Sequence, residues 1–183
     1  MVAAPIERLR EVEWPPFEHA VQHGVASIMT AHVRYDALDH ASPATLSPAI
    51  IQSLLREQFR YDGVVLTDDL EMHAIIDHYG VGDASVRAIQ AGCDVLLICK
   101  EYEREVAAFH AVEAAMKDGK ISPARLQVSL ARIEKLKARF VRPYKPVTIS
   151  DARLTVGCRT HQALLDSLLR ARDRLARVSS PAA

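Results

Sequence analysis

An excess of charge of either sign is missing from this sequence: lysine plus arginine number 23, aspartate plus glutamate number 23, and the formal net charge is zero. No overall field draws the chain towards nucleic acid or an anionic lipid surface, so neither is expected as a partner, and a neutral substrate suits the balance. Long apolar runs are missing too, since no stretch approaches the roughly 20 residues of a membrane span. The N-terminus, MVAAPIERLREVE, has no apolar core of signal-peptide length and turns charged at Glu7, so a cytoplasmic location is expected. Cysteine is scarce: Cys93, Cys99 and Cys158 form no CxxC pair and no Cys/His cluster. An odd number, two of them in the apolar run AGCDVLLICK, reads as buried thiols in a reducing compartment, not as a disulfide or metal set. The dinucleotide fingerprint is absent as well. Gly80-Val81-Gly82 is followed by Ser85 where a third glycine belongs, and no strand precedes it.

What is present is an ordinary globular composition, 49% hydrophobic and 25% charged, at a length that suits one domain. Three segments, 24–33, 63–69 and 93–99, are continuous apolar runs, as expected of parallel strands buried on both faces. Helical patterns alternate with them. Ser47-Pro48 is an N-cap with proline at the first helical position, and Ile50, Ile51, Leu54, Leu55 and Phe59 recur at helical spacing. Further helices are expected over 83–90, over 102–117 with Asp118-Gly119 as the stop, and after the second cap at Ser122-Pro123. The alternation is that of an α/β protein with a parallel sheet, open or closed into a barrel. VRPYKPVTISD then reads as a surface connection, and 161–177 as a last, strongly charged helix.

In parallel α/β folds the functional side chains stand at the C-terminal ends of the strands. Here those ends carry Thr30, His32, Arg34 and Tyr35; then Thr67-Asp68-Asp69; then Lys100-Glu101. Adjacent carboxylates directly after GVVL cannot both enter a core, because an unpaired buried charge is costly. One reading makes an aspartate the N-cap of the following segment LEMHAII; the other makes one an active-site carboxylate and its neighbour a support. His73, Asp77 and His78 share one helical neighbourhood, but no second cluster completes a metal-ligand set, so solvated helix residues are expected.

PPFEHAVQHGVASIMTAHVRYDALD, PATLSPAIIQSLLREQF, YDGVVLTDDLEMHAI and VRAIQAGCDVLLIC resemble, in this order, the family 3 glycoside hydrolases of the bacterial β-N-acetylglucosaminidase type; SPARLQVSLARIEKLK fits the helix after their last barrel strand. The resemblance implies a partial TIM (β/α)8 barrel, its last three strand-helix units, over residues 1–141, with 142–183 a linker and C-terminal helical extension. It implies Asp68 as the nucleophile of a retaining glycosidase and Asp69 as a support. His32 is then either a hydrogen-bonding partner of a sugar hydroxyl or of the nucleophile, or a satisfied structural histidine. Arg34 and Tyr35 fall on the same rim as further candidates for binding substrate. Met72 is either an apolar wall of the sugar site or core packing.

The substrate class implied is terminal β-linked N-acetylglucosamine, as in cell-wall muropeptide fragments, with no cofactor and no metal. The family's first five strands, its KHFPGHG-like segment and its Asp-His acid/base loop have no counterpart here, so little or no hydrolase activity is expected of the chain alone. The alternative is a non-catalytic partial barrel that associates with a copy of itself or a missing half through exposed sheet edges. A third reading is a different barrel enzyme, a lyase or metal-dependent aldolase, using Asp68 and Asp69 as ligands.

Overall fold

The computed structural model describes residues 2–179, with side chains described as far as residue 174. The chain divides into two compact units, Met1–Val141 and Arg142–Ala183. In the first unit a three-stranded parallel sheet is ordered β1-β2-β3, from β1 (Ser27–Met29), β2 (Val64–Asp69) and β3 (Val95–Leu97). Ser27, Ile28 and Met29 face Val64, Val65 and Leu66, and Leu66 faces Val95.

The strands are shorter than their apolar runs, and only β2 is deeply buried. Val64 and Val65 are enclosed, whereas Met29 on β1 is exposed. The expectation of three strands covered on both faces is therefore corrected. An apolar run records the nature of its side chains, but covering both faces also needs neighbours on both sides, and β1 and β3 are the sheet edges.

Crossover helices join the strands, as parallel pairing requires. Before β1 lie α1 (Ile6–Arg8), a wider-wound turn Leu9–Glu13 and α2 (Pro15–Gln22). The helix Ala49–Gln58, also wound with the wider π pattern, leads to β2, and the Ser47 hydroxyl accepts the Ile50 N–H at its start. Between β2 and β3 runs α3 (His73–Ala91), longer than the expected 83–90 and bent at Gly80, whose φ of 69° is outside helical space. Its buried face of Ile75, Val81, Ala84, Ala88 and Ile89 packs in the core. Gly92 ends it at φ 120°, where a Cβ would stand 2.6 Å from the Gln52 amide and 2.8 Å from Ile51. α4 (Tyr102–Lys117) has the expected bounds, and α5 (Pro123–Phe140) is capped by Ser122 accepting from Arg125 N–H.

Beneath β3 a charged cluster is buried. The Asp94 side chain is 0% exposed and meets Arg56 Nη2 at 2.7 Å, with the Arg56 side chain 6% exposed. It also accepts from Val65 N–H at 3.0 Å and Ser129 Oγ at 2.6 Å, with Arg125 and Arg132 at 3.5 and 3.4 Å. Arg56 in turn donates to the carbonyls of Tyr61 and Gly63. A charge in this position is tolerable only because it is so fully partnered.

In the second unit the expected surface connection contains a short helix, α6 (Ile149–Thr155). Thr148 and Asp151 close it with reciprocal bonds: Asp151 N–H donates to Thr148 Oγ1, and that hydroxyl donates to Asp151 Oδ2. The last helix, α7 (Arg159–Ser179), extends the expected 161–177 at both ends.

Removing Asp94 strands Arg56 in the interior. Asp94→Ala is expected to cost about 3–5 kcal/mol, whereas Asp62→Ala, which breaks only exposed pairs with Arg132 and Lys135, costs less than about 1 kcal/mol. Urea denaturation midpoints of the two variants check the contrast.

Candidate active site

The rim begins with an irregularity in β2. Register between β2 and β3 shifts between Leu66 and Asp69, and Asp69 faces Leu97. In the gap the buried Thr67 hydroxyl accepts the Leu97 N–H at 2.9 Å, and Leu70 N–H donates to the Leu97 carbonyl. Such a bulge turns the following side chains relative to the regular pleat. Those side chains are Asp68 and Asp69.

Asp68 is half-buried, and its Oδ1 accepts the Asp69 N–H at 2.8 Å. Its other oxygen has no hydrogen-bond partner among the described residues. Asp69 turns back on the chain: its Oδ1 accepts the Glu71 N–H at 3.1 Å, closing a turn before α3. Asp69 is thus engaged on backbone at the helix approach, while one oxygen of Asp68 has no partner among the described residues.

His32 lies beside them with both ring nitrogens engaged. Nε2 stands 2.8 Å from the Asp69 carbonyl, which can only accept, so Nε2 carries the proton. In the neutral ring Nδ1 then accepts from the Thr45 hydroxyl at 2.8 Å, and Thr45 accepts from Thr30 at 2.9 Å. Of the two readings the sequence left for His32, these bonds have the geometry of the satisfied histidine. Its ring is occupied in holding the Asp69 peptide, and it acts on the site through that peptide. Thr45, fully buried, anchors the chain, although nothing in PATLSP marks it as the partner of a histidine 13 residues earlier.

Arg34, expected to bind substrate, is exposed and pairs with Asp36 on its own loop at 3.0 Å. Met72, immediately before α3, is 45% exposed and so is not packed in the core of the described residues. His73 pairs with Asp77 one helical turn on.

One residue of the rim escaped sequence reasoning. Glu71 has a side chain only 2% exposed, yet its carboxylate accepts the backbone N–H groups of Cys99, Lys100 and Glu101 and meets Arg104 at 3.4 Å. Burial raises its carboxyl pKa, but the three amides and Arg104 outweigh that and hold it below the ordinary value. The exposed thiol of Cys99 is pushed up by desolvation and by the charges of Asp69, Glu71 and Asp68. The ends of β2 and β3 therefore share one electrostatic neighbourhood. The only signal in the sequence is an acid between Leu70 and Met72, which looks like any helix-start glutamate.

Comparison with known proteins places this rim in context. The model of the Glycosyl hydrolase family 3 N terminal domain matches residues 1–136. Beta-hexosaminidase A of Pseudoalteromonas piscicida is 30% identical over 179 residues, covering 86% of this chain and 29% of that protein. The Beta-hexosaminidase of Hydrogenovibrio crunogenus is 37% identical over 115 residues, covering 61% of this chain and 30% of that protein. Among solved structures, a glycoside hydrolase family 3 beta-N-acetylglucosaminidase from Paenibacillus sp. str. FPU-7 superposes with a TM-score of 0.75 at 41% identity, covering 84% of this chain and 31% of the other. The beta-N-acetylglucosaminidase from Thermotoga maritima gives 0.70 at 33% identity, covering 75% and 30%. The chain thus spans about 30% of the length of these relatives.

Two expectations follow from the geometry. Thr45→Val removes the donor to His32 Nδ1 and is expected to cost about 1–3 kcal/mol, while nitrogen NMR of the parent ring finds the proton on Nε2. Because the folded state holds Glu71 below its ordinary value of 4.5, its contribution is full above that pH and is lost as pH falls through the lowered value. Melting curves of the parent and Glu71→Gln should therefore differ more at pH 6 than at pH 3.

Proposed function

This chain belongs to glycosyl hydrolase family 3, and from its rim we propose that it carries the nucleophile side of a retaining β-N-acetylglucosaminidase. The carrying observation is Asp68: a carboxylate at the C-terminal end of the central strand, aimed by a bulge, with one oxygen oriented by the Asp69 amide and the other without a partner among the described residues. On this reading the three strands are the last three of a (β/α)8 barrel.

Asp68 attacks the anomeric carbon, the glycosidic C–O bond breaks, and the leaving oxygen takes a proton. Water then attacks the glycosyl ester, and two inversions restore the original configuration. A nucleophile suited to this must be ionised, held still and partly shielded, and a half-buried side chain held by its neighbour's amide meets those demands. His32 is occupied by Thr45 and Asp69, so protonation of the leaving oxygen falls to a group outside this rim. General acid catalysis contributes about 10²–10⁴-fold, so the 183-residue polypeptide alone is a weak hydrolase. The substrate class is terminal β-linked N-acetylglucosamine, a reading supported by the kind of relatives the chain matches, and we propose muropeptide fragments as its natural source.

A second reading, a module that associates through its sheet, is favoured by the outer edges of β1 and β3, which have no strand neighbour among the described residues. Beside β1 an apolar groove lined by Trp14, Phe17, Met29 and Leu54 adds to that edge.

An N-acetylglucosaminyl fluoride slowed by a second fluorine needs no acid to expel its leaving group, so it reports on the nucleophile alone. Mass spectrometry of the treated protein is expected to find a glycosyl adduct on the peptide containing Asp68 and none in Asp68→Asn. A folded parent that acquires no adduct, and sediments as a dimer, would instead support the associating module.

A further inference from the structure

We infer that Glu71 is the positioning residue of this site, fastening the turn after β3 to the turn after β2 so that Asp68 and the Cys99–Lys100 segment form two walls of one cleft. The inference rests on the glycosidase reading above and extends it to a residue that touches neither the sugar nor the reacting atoms.

The geometry is specific. Glu71 stands three residues beyond Asp68, on the turn that links β2 to α3. Its carboxylate crosses to the next βα turn and takes all three successive amides from Cys99 to Glu101. Those amides lie at the approach to α4, whose first residue is Tyr102, so the carboxylate also sits at the positive end of a 16-residue helix. Consecutive N–H groups before a helix make a site ready for an anion. Here the anion is a side chain of the chain itself, delivered by the loop that bears Asp68. Arg104, on the first turn of α4, approaches the same carboxylate and also pairs with Glu101.

The consequence is mechanical. β3 is short and forms one edge of the sheet, and its last ladder contact is Leu97 against Asp69. Beyond Leu97 no strand pairing holds the backbone. The Glu71 carboxylate takes over at that point, two residues further on. Its negative charge is needed because three donors converge on two oxygens; an uncharged amide offers one acceptor oxygen and turns an NH2 towards those donors.

Glu71→Gln keeps the shape and removes the charge. Amide exchange at Cys99, Lys100 and Glu101 is expected to accelerate about 10- to 100-fold, the loss anticipated for charge-assisted bonds, and by more than exchange at Val64 and Val65, which follows only the change in global stability. At saturating fluoride donor the rate of Asp68 labelling is expected to fall about tenfold while the half-saturating concentration stays within about twofold, since placement and not affinity is altered. Glu71→Asp, which retains the charge on a shorter arm, should recover part of both. Unchanged exchange at the three amides overturns the inference, as does labelling of Glu71→Gln at the parental rate. Equal acceleration at Val64 and Val65 overturns it too, making Glu71 a general stabiliser. A parent that takes no label overturns the glycosidase reading, and this inference with it, which separates the two failures.

Discussion

A buried carboxylate, Asp94, ties the lower end of the sheet to the helices around it. It stands immediately before β3, accepts the Val65 N–H of β2, and gathers Arg56 from the helix before β2 and Arg125 and Arg132 from α5. Four segments distant in sequence thus meet on one charge. A purely apolar contact tolerates sliding, but a desolvated charge requires its partners at hydrogen-bond distance, so the cluster sets the relative height of the strands. Because the strands are parallel, fixing their lower ends also fixes where their upper ends emerge.

At that upper end the polar interactions are of another kind. The bulge in β2, the Thr67 hydroxyl within it, the Thr30–Thr45–His32 chain and the Glu71 carboxylate each bind backbone groups near Asp68. The side chains with the most chemical capability are mostly spent on this scaffolding. His32 and Asp69 look reactive on paper but are occupied, and Asp68 retains an oxygen without a partner among the described residues. A site in which the supports are satisfied and one carboxylate is not suits the nucleophilic role proposed for Asp68, because support groups that stay in place at the moment of reaction require no reorganisation.

Family membership and a span of about 30% of its relatives' length are compatible with the two readings of the rim. Short edge strands and the apolar groove beside β1 describe a sheet with room for neighbours on either side. The proposed nucleophile belongs to this rim, whereas the proposed proton donor lies outside it.

Local sequence determined the kind of elements and their order: three apolar runs, helices capped at Ser47 and Ser122, α4 with the bounds its pattern predicts, and a rim of polar residues centred on Thr67-Asp68-Asp69. These follow from side-chain periodicity and capping chemistry, which act over a few residues. It missed α6, whose capping pair Thr148 and Asp151 lay in a stretch dominated by prolines, and it overestimated how far the strands extend. It was also silent on what each polar group does. Whether His32 faces a sugar or holds a peptide depends on Thr45 and on the Asp69 carbonyl 37 residues away, and whether Glu71 is solvated or buried depends on amides 28 to 30 residues later. Hydrogen bonds are short and directional, so only the folded chain decides which donors and acceptors lie within reach of one another.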